Sequence, residues 1–239
     1  MTGYPDFMRR IACIAITAAV GIAVVLPTAA SPEGQIVIRG AESGSHLRLS
    51  ADADHIVVEG FMAAGEPIGC HFTNGHNTAV CPTANVSSIE VTMGPADDKV
   101  QVLDRLPLPL TTRLGGGSDK LIAHSERDTC YPEGSRRNRC ITGGGNDICI
   151  TGNRNTDCVL GRGNDYCRHG RGSDGCFGGP GDDTCVMGGG HDGCHGGRGN
   201  DRLYGGSDSD QLYGGPGHDF CDGGPGWGYS HGCEAGPRR

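Results

Sequence analysis

Short nonpolar segments alternate with turns of glycine and polar residues along most of this chain. Over residues 114–231 a leucine or cysteine recurs every nine residues, with one ten-residue step, and an aspartate stands two positions before most of them. A single inward side chain between turns fits a strand of about three residues, whereas a helix would need apolar positions roughly three or four apart. The pattern therefore predicts very short β-strands joined by tight turns and stacked as a solenoid.

The aspartates keep a fixed phase within a glycine-rich nonapeptide. Three copies are complete as Gly-Gly-x-Gly-x-Asp-x-U-x, with U a bulky or sulfur-containing side chain, at 178–186, 196–204 and 214–222. Six residues of each copy are expected to form a turn and three a strand, with successive copies on opposite sides of a flattened roll. Copies eighteen residues apart then stack at the spacing of paired strands, about 4.8 Å.

This stacking rule sorts the aspartates onto two edges of the roll. The first edge carries Asp147, Asp165, Asp183, Asp201 and Asp219, and the second carries Asp174, Asp192 and Asp210, with Asp119 before the ten-residue step. Thr156 interrupts the second edge, where adjacent Asp157 is a candidate replacement. The alternative interpretation is that these acids are ordinary solvated turn residues, but their phase with the glycines favours a shared role.

The chemistry that this arrangement predicts is calcium binding. Ca²⁺ takes six to eight hard oxygens at about 2.3–2.6 Å, which carboxylates and backbone carbonyls from two stacked turns can supply. The fourth motif position is expected to take positive φ and to aim carbonyls at the ion, which favours glycine. The glycines at that position are Gly163, Gly172, Gly181, Gly190, Gly199 and Gly217.

On these motif copies, the segment 114–230 resembles the haemolysin-type (RTX) calcium-binding repeats. The chain after its leader resembles short secreted calcium-binding repeat proteins of actinobacterial type, in which a cysteine pair like Cys70 and Cys81 and a run like 86–91 lead into the nonapeptides. The resemblance implies an all-β fold, a parallel β-roll (right-handed β-solenoid) that binds Ca²⁺ outside the cell. An irregular or degenerate β region is expected to precede the roll.

The ends of the chain suggest its organisation. Residues 1–30 have arginines before an apolar run and small residues before Ser31, which is typical of a cleaved signal peptide; a retained anchor is the alternative. Residues 31–113 show short β-type runs and are either degenerate coils or a small β-domain. The calcium-binding roll is assigned to 114–231, and 232–239 form a tail. The last copy has Gly228 in place of the aspartate and carries Trp227 and Tyr229, which predicts an aromatic lid.

Cysteine replaces the usual large apolar residue at most U positions. The chain has 13 cysteines, and an even number remain once Cys13 leaves with the leader, which favours disulfides in an exported protein. Cys70 and Cys81 are a candidate hairpin clasp, and Cys221 with Cys233 another. Stacked partners (Cys149 with Cys167) and facing partners (Cys149 with Cys158) both fit disulfide geometry, and free thiols packing the core are the alternative. The other candidates are Cys176, Cys185 and Cys194.

Charge and motifs limit the remaining function classes. The net charge of −8 argues against nucleic acid and anionic membranes as partners, and no stable membrane insertion is expected after leader removal. No nucleophile elbow or HExxH motif is present, so the chain is not predicted to be an enzyme. A zinc or copper thiolate site is not predicted, because a linear row of cysteines offers no tetrahedral grouping. The alternative function is a cell-surface adhesion or matrix module, which an exposed, repeated, non-acidic column would support.

Overall fold

The described part of the chain consists of β-strands joined by turns. The computed structural model describes residues 35–39, 44–60, 71–73, 78–84, 86–134, 137–226 and 228–234. The signal-peptide prediction, Cys13, Cys70 and Trp227 lie outside these residues. The strands are β1 (Gln35–Arg39), β2 (His46–Ala51), β3 (His55–Glu59), β4 (His71–Thr73), β5 (Thr78–Pro82), β6 (Ser88–Thr92), β7 (Lys99–Val102), β8 (Leu110–Arg113), β9 (Lys120–Ile122), β10 (Asp128–Tyr131), β11 (Asn138–Gly144), β12 (Ile148–Ile150), β13 (Thr156–Arg162), β14 (Tyr166–Arg168), β15 (Gly175–Pro180), β16 (Thr184–Val186), β17 (Gly193–Arg198), β18 (Arg202–Tyr204), β19 (Gln211–Tyr213), β20 (Phe220–Asp222) and β21 (Tyr229–His231).

The strands form two sheets that face each other. One sheet has the order β1-β6-β8-β10-β12-β14-β16-β18-β20, and the other has the order β21-β19-β17-β15-β13-β11-β9-β7-β2-β3-β5-β4. Successive repeat strands alternate between the sheets, and every repeat strand pairs in parallel with the one a full coil away. The described residues contain no helix, so none is long and apolar enough to cross a membrane. The predicted all-β parallel solenoid is confirmed.

The register between coils follows the nonapeptide period. From β13 onward, paired residues are eighteen apart, as in Cys158 with Cys176 and Cys167 with Cys185. Upstream, across the ten-residue step, the offset is nineteen, as in Cys130 with Cys149 and Leu121 with Cys140. The ten-residue step predicted from the sequence lies between β10 and β11, where the extra residue is absorbed outside the paired strands. The inward side chain of each coil therefore keeps its place.

The region upstream of the repeats shares both sheets. Strands β1, β6 and β8 continue the nine-stranded sheet in parallel, and β2 and β7 continue the other. Strands β3, β5 and β4 then extend the second sheet in antiparallel order. The core here is made of larger aliphatic side chains, including the fully buried Leu49, Ile56 and Ile89.

A single layer of small buried side chains separates the sheets in the repeat region. Every residue at the U position from Leu121 to Cys221 is at most 5% exposed. Its neighbours within the same strand point outward, because successive side chains of a strand alternate between faces. Cysteine fills this narrow layer as a small apolar side chain.

Facing rather than stacked cysteines form the disulfides of the core. The structure joins Cys149 with Cys158, Cys185 with Cys194, and Cys221 with Cys233, and it adds Cys130 with Cys140. Cys81 is also disulfide-bonded, whereas its predicted partner Cys70 lies outside the described residues. The disulfide prediction is wrong for Cys167 and Cys176, which are buried free thiols.

Alkylation of the unfolded but unreduced protein should label Cys167 and Cys176 and no other cysteine of the described residues. Only free thiols react, and both are buried, so labelling requires a denaturant. Peptide mass spectrometry reads out the labelled positions, and a fully reduced sample is the control in which every cysteine is labelled. A disulfide-linked peptide pair containing Cys167 and Cys176 would contradict the assignment.

The C-terminal end of the solenoid is closed by a charged and covalent cap. Glu234 Oε2 accepts a hydrogen bond of 2.6 Å from the Asp219 N–H, in the place where another coil would supply an aspartate. The disulfide between Cys221 and Cys233 holds this segment against the last coil. Tyr229 is 55% exposed and contacts Tyr213 at a ring distance of 6.0 Å. The predicted aromatic lid is therefore not formed by Tyr229, because its ring lies on the outer face of the sheet.

Candidate metal sites on the two solenoid edges

Glycine at the fourth motif position allows successive turns to pack backbone against backbone. Gly163, Gly181 and Gly199 have φ of 132°, 146° and 136°. A Cβ added at any of the three would overlap the carbonyl oxygen of the glycine one coil earlier. The predicted Gly172, Gly190 and Gly217 also have positive φ, of 148°, 133° and 156°. These positions thus need glycine both for conformation and for space.

Asp208 occupies the same fourth position on the second edge. It is the one non-glycine residue of the described chain with positive φ, at 79°, a conformation that aspartate tolerates better than most side chains. Burial raises the pKa of Asp192 and Asp210, and the negative charge of Asp208 adds to both shifts. Asp208 was not predicted as a site residue, because the motif assigns this position to glycine.

The first edge carries a continuous ladder of buried aspartates. Asp147, Asp165, Asp183, Asp201 and Asp219 are at most 3% exposed. In each pair of stacked coils the upper Oδ1 accepts a 2.8 Å hydrogen bond from the N–H of the aspartate one coil earlier, as between Asp147 and Asp165. The second oxygen, Oδ2, of all five residues is buried and has no hydrogen-bond partner.

The second edge repeats this geometry over a shorter length. Asp174 and Asp192 accept 2.7 and 2.8 Å hydrogen bonds from the N–H groups of Thr156 and Asp174, and Asp210 accepts one of 3.1 Å from Asp192. The Oδ2 atoms of these three aspartates are likewise buried and unpaired. The ladder ends at Thr156, whose hydroxyl donates to the Arg154 carbonyl at 3.1 Å.

Asp157 does not replace the missing carboxylate at Thr156. It lies on the opposite face of strand β13 and pairs with the Arg137 guanidinium at 2.9 and 3.1 Å. A shift of one residue along a strand turns the side chain to the other face. The expectation that Asp157 substitutes on the second edge is therefore wrong.

Upstream of the interruption at Thr156, the second edge has a further stretch of the same hydrogen-bonded ladder. Asp98 N–H donates to Asp119 Oδ1 at 2.9 Å, and Asp119 N–H donates to Asn138 Oδ1 at 2.8 Å. The Oδ2 atoms of Asp98 and Asp119 are buried and unpaired, like those downstream. Asp119 was predicted from the sequence and Asp98 was not, although the segment 94–100 retains part of the motif.

Asp128 is the first aspartate of the first edge, and both of its carboxylate oxygens have hydrogen-bond donors. Its two carboxylate oxygens accept hydrogen bonds from the Ser125 hydroxyl and the Ser125 N–H. Asp128 N–H donates to Asp147 Oδ1 at 2.8 Å. The side chain is fully buried. Ser125 thus supplies the hydrogen bond that the Oδ2 atoms of the aspartates in later coils lack.

Burial and mutual repulsion make these carboxylates hard to ionise without a cation. Loss of hydration raises the pKa of Asp165 and Asp174 to about 7, despite one stabilising N–H bond each. The same cause raises the pKa of Asp183, Asp201 and Asp210 to about 6. The charges of stacked neighbours add to the shift, as Asp147 and Asp183 do for the pKa of Asp165.

The donor set fits a hard divalent cation. Ten aspartates in the described residues present a buried Oδ2 with no partner, in two rows that follow the stack. Buried polar atoms without a hydrogen bond are uncommon and cost on the order of 1–3 kcal/mol each. A bound cation would satisfy these atoms and reverse the penalty on ionisation. The arrangement is therefore explained best as the oxygen half of a series of metal sites.

Comparison with known families agrees with this chemistry. The family model of the RTX calcium-binding nonapeptide repeat, in 4 copies, matches residues 195–226. Residues 195–226 carry RTX calcium-binding nonapeptide repeats. No curated protein and no solved structure matches the chain.

The RTX geometry extends upstream of the matched segment. The hydrogen bond that joins Asp201 to Asp219 within the matched segment recurs between Asp147 and Asp165 with the same length of 2.8 Å. The unpaired Oδ2 also recurs at both upstream residues. The repeats are thus a structural unit well beyond residues 195–226, although the upstream copies depart from the consensus glycines.

The raised carboxyl pKa values predict opposite pH dependences with and without calcium. In calcium-free protein the folded aspartates keep their protons up to pH about 6 to 7, whereas unfolded aspartates lose theirs near the ordinary pKa of 3.8. The folded state binds more protons in this window, so its stability is greatest below it and falls as pH rises through it. With saturating calcium, protons compete with the ion, and stability should rise with pH over the same range.

Denaturant unfolding at about pH 5 and about pH 8, in chelator and in calcium, measures both trends. The free energy of unfolding is expected to fall with pH in chelator and to rise with pH in calcium. Parallel slopes under the two conditions would contradict a role for these carboxylates as metal ligands.

Proposed function

We propose that this chain is a secreted calcium-binding protein whose solenoid becomes fully ordered when Ca²⁺ binds between stacked turns. The observation that supports the proposal is the double row of buried, unpaired aspartate Oδ2 atoms. Asp147, Asp165, Asp183, Asp201 and Asp219 would hold ions on the first edge, and Asp174, Asp192 and Asp210 on the second. Asp98 and Asp119 would supply a further pair upstream.

Calcium would supply positive charge to carboxylates that otherwise repel one another. The turn glycines, including Gly181 and Gly190, let neighbouring turns approach closely enough for backbone carbonyls to complete an oxygen shell of six to eight ligands. The interior of the repeats buries little apolar area, because it is a single layer in which most side chains are small cysteines. Binding energy then becomes folding energy, as in other small proteins that depend on a metal.

Secretion is consistent with the sequence and with the cysteine chemistry. Residues 1–30 have the composition of a signal peptide, and the described residues contain four complete disulfides, which are typical of oxidising compartments. Extracellular modules bind calcium with dissociation constants of about 10⁻⁴–10⁻³ M. We propose that the protein folds at the calcium concentration outside the cell and stays incompletely ordered where calcium is scarce.

The test is a calcium titration followed by far-ultraviolet circular dichroism and thermal melting. The protein with intact disulfides should gain β-structure and a higher Tm as calcium is added at about pH 8, and chelator should reverse both. Magnesium is the control ion, because it demands a smaller octahedral site that flexible carbonyl cages seldom provide. The proposal would be refuted if chelation left the spectrum and the Tm of the calcium-loaded protein unchanged while mass spectrometry showed that the chelated protein holds no metal.

A second candidate function is attachment to an acidic polysaccharide through one sheet face. A non-acidic column crosses six strands of the twelve-stranded sheet and consists of Ile141, Val159, Phe177, His195, Tyr213 and His231. The rings of Phe177 and His195 stack at 4.9 Å, and those of His195 and Tyr213 at 4.6 Å. A shallow groove beside them is lined by Arg198 and contains no carboxylate among its lining residues. Its local charge is therefore opposite to that of the molecule as a whole.

Retention of the calcium-saturated protein on an immobilised sulfated polysaccharide tests this second function. Arg198→Ser and Tyr213→Ser should reduce retention because both residues line the groove. Arg202→Ser on strand β18 of the opposite sheet is the matched control. Equal retention of all three variants would exclude the groove as a binding surface.

A further inference from the structure

One coil of the core keeps its two cysteines as thiols. Cys167 and Cys176 are buried and free. They face each other one repeat apart, as the cysteines of the disulfides in the neighbouring coils do. The Cys167 thiol is hydrogen-bonded to Cys176. The pair therefore has the placement of a disulfide but remains reduced.

The sulfur atoms of four successive coils form a continuous row. Its members are three facing disulfides and the thiol pair: Cys130–Cys140, Cys149–Cys158, Cys167 with Cys176, and Cys185–Cys194. Cys167 Sγ lies within 4.8 Å of Cys158 Sγ on one side and of Cys185 Sγ on the other. A free thiol therefore lies beside one sulfur of each neighbouring disulfide.

Residues without sulfur close the row at both ends. Upstream, Leu121 pairs in register with Cys140. Downstream, Leu203 lies between Cys185 and Cys221 in the same sheet. The terminal disulfide that contains Cys221 is therefore separated from the row by a full coil.

The chemistry open to these sulfurs is confined to the protein itself. Every cysteine of the row is at most 2% exposed, so an external substrate has no access to it. A thiol beside a disulfide can exchange with it, because a thiolate attacks one sulfur of the bond and the other sulfur leaves. Such an exchange consumes no oxidant or reductant, since one S–S bond replaces another.

We propose that the thiol pair and the disulfides beside it form an internal exchange path, along which the reduced pair moves from coil to coil. In the first step Cys167 attacks Cys158 Sγ, and the bond from Cys158 to Cys149 breaks. Cys149 leaves as a thiolate and takes up the proton that Cys167 gives up. In the second step Cys176 attacks Cys167 Sγ and its proton passes to Cys158, which is released. The thiols then lie one coil upstream, at Cys149 and Cys158.

The same path corrects cysteine pairing as the solenoid oxidises. Eight cysteines allow 105 connectivities, and stacked partners such as Cys149 with Cys167 compete with facing ones. A thiol kept within the row supplies the nucleophile that opens a stacked disulfide. Repeated exchange then ends in the facing pairs that the structure shows.

His169 determines the coil at which the reduced pair rests. Its Nε2 is 2.9 Å from Cys167 Sγ, and its Nδ1 is 3.0 Å from Thr151 Oγ1. Cys167 in a disulfide has no S–H to donate, and loss of a buried hydrogen bond shifts an equilibrium by roughly 10- to 100-fold. In the next coil Met187 holds the same turn position, 3.2 Å from Cys185 Sγ, and that cysteine is disulfide-bonded. The thiols therefore rest beside the histidine.

The His169→Met variant tests where the thiols rest, because methionine occupies this position in the next coil. In calcium-saturated protein the variant should raise by about 10-fold or more the thiol content of the neighbouring coils, that is, of Cys149, Cys158, Cys185 and Cys194. Alkylation in acidic denaturant, where exchange stops, and peptide mass spectrometry give the positions. Met187→Leu is the matched control and should leave them unchanged, and Cys221 should stay unlabelled throughout. Thiols that remain confined to one coil in His169→Met would overturn the proposal.

The Cys176→Ala variant leaves a single thiol in the row and stops the exchange after its first step. Attack by Cys167 on Cys158 releases Cys149, so a fraction of the molecules should carry their thiol at Cys149. Attack in the other direction should place it at Cys194 in the same way. Protein unfolded in urea is the control, because there the thiol spreads over every cysteine. A thiol as frequent at Cys158 as at Cys149 in the folded protein would overturn the path.

Exchange within the folded protein is measured on the separated isomers of this variant. They are isolated in acid, refolded at about pH 5, where thiols exchange little, and moved to about pH 8 in calcium. Because burial raises the pKa of the Cys167 thiol, exchange should be slow and should restore one common mixture over minutes to hours. Isomers with a methylated thiol should not change, and unmethylated isomers that persist would overturn the proposal. Circular dichroism confirms folding, and His169→Met, which keeps every cysteine, decides the proposal if Cys176→Ala does not fold.

Discussion

The Asp183→Asn variant is expected to lower the free energy of unfolding in saturating calcium by about 3 kcal/mol and to raise it in chelator. Asparagine keeps the oxygen that accepts the Asp165 N–H at 2.8 Å, so the backbone ladder is preserved. It removes one charge from two neighbouring candidate sites, which weakens calcium binding. Without calcium, it also removes a buried carboxylate whose pKa is raised to about 6 by burial.

Asp182→Asn is the matched control because Asp182 is the adjacent residue and lies outside the buried ladder. Its Oδ1 accepts the Asn200 N–H at 2.7 Å on the outer surface, a contact that asparagine can keep. Its effect should stay within about 0.5 kcal/mol in either condition. Denaturant unfolding with and without calcium gives both values for each variant. A loss of equal size in both conditions for Asp183→Asn would mean that the carboxylate is structural and does not bind the ion.

The Gly181→Ala variant should destabilise the folded protein by about 3 kcal/mol, whether or not calcium is present. Gly181 has a φ of 146°, which L side chains rarely adopt, and a new Cβ would overlap the Gly163 carbonyl oxygen of the stacked turn. The two coils would have to separate to admit it, so the calcium midpoint should also rise.

Gly193→Ala provides the contrast within the same repeats. Gly193 begins strand β17, and a Cβ placed there meets no heavy atom within 4 Å. The substitution should stabilise the protein by up to about 1 kcal/mol, because alanine restricts the unfolded chain. Thermal and denaturant unfolding of both variants measure the difference. Similar losses at the two positions would show that turn packing does not control the need for glycine.

Much of the fold follows from the period of the sequence. A nonapeptide with one inward side chain leaves little freedom, so the two edges and the eighteen-residue pairing of Asp165 with Asp183 were predictable. Asp157 was misplaced because phase with the glycines was given less weight than proximity to the gap at Thr156. Strand alternation alone places these two residues on opposite faces.

The cysteine pairing could not be derived in the same way. Stacked and facing partners both satisfy disulfide distances, and the facing Cα atoms of Cys149 and Cys158 are 6.5 Å apart. The choice depends on side-chain direction across a narrow layer, which the period does not determine. The inward position of His169, which is 4% exposed, could not be derived from the sequence either, because only the turn conformation shows that its ring points inward.

The cap formed by Glu234 and the Cys221–Cys233 bond has a consequence for how such a molecule can grow. Glu234 already accepts the Asp219 N–H, and the disulfide fixes the segment that carries it. A coil added after residue 234 would therefore find no free N–H at that end of the first edge. Repeats gained by duplication are therefore expected between existing coils, with the same cap kept at the C-terminal end of the solenoid.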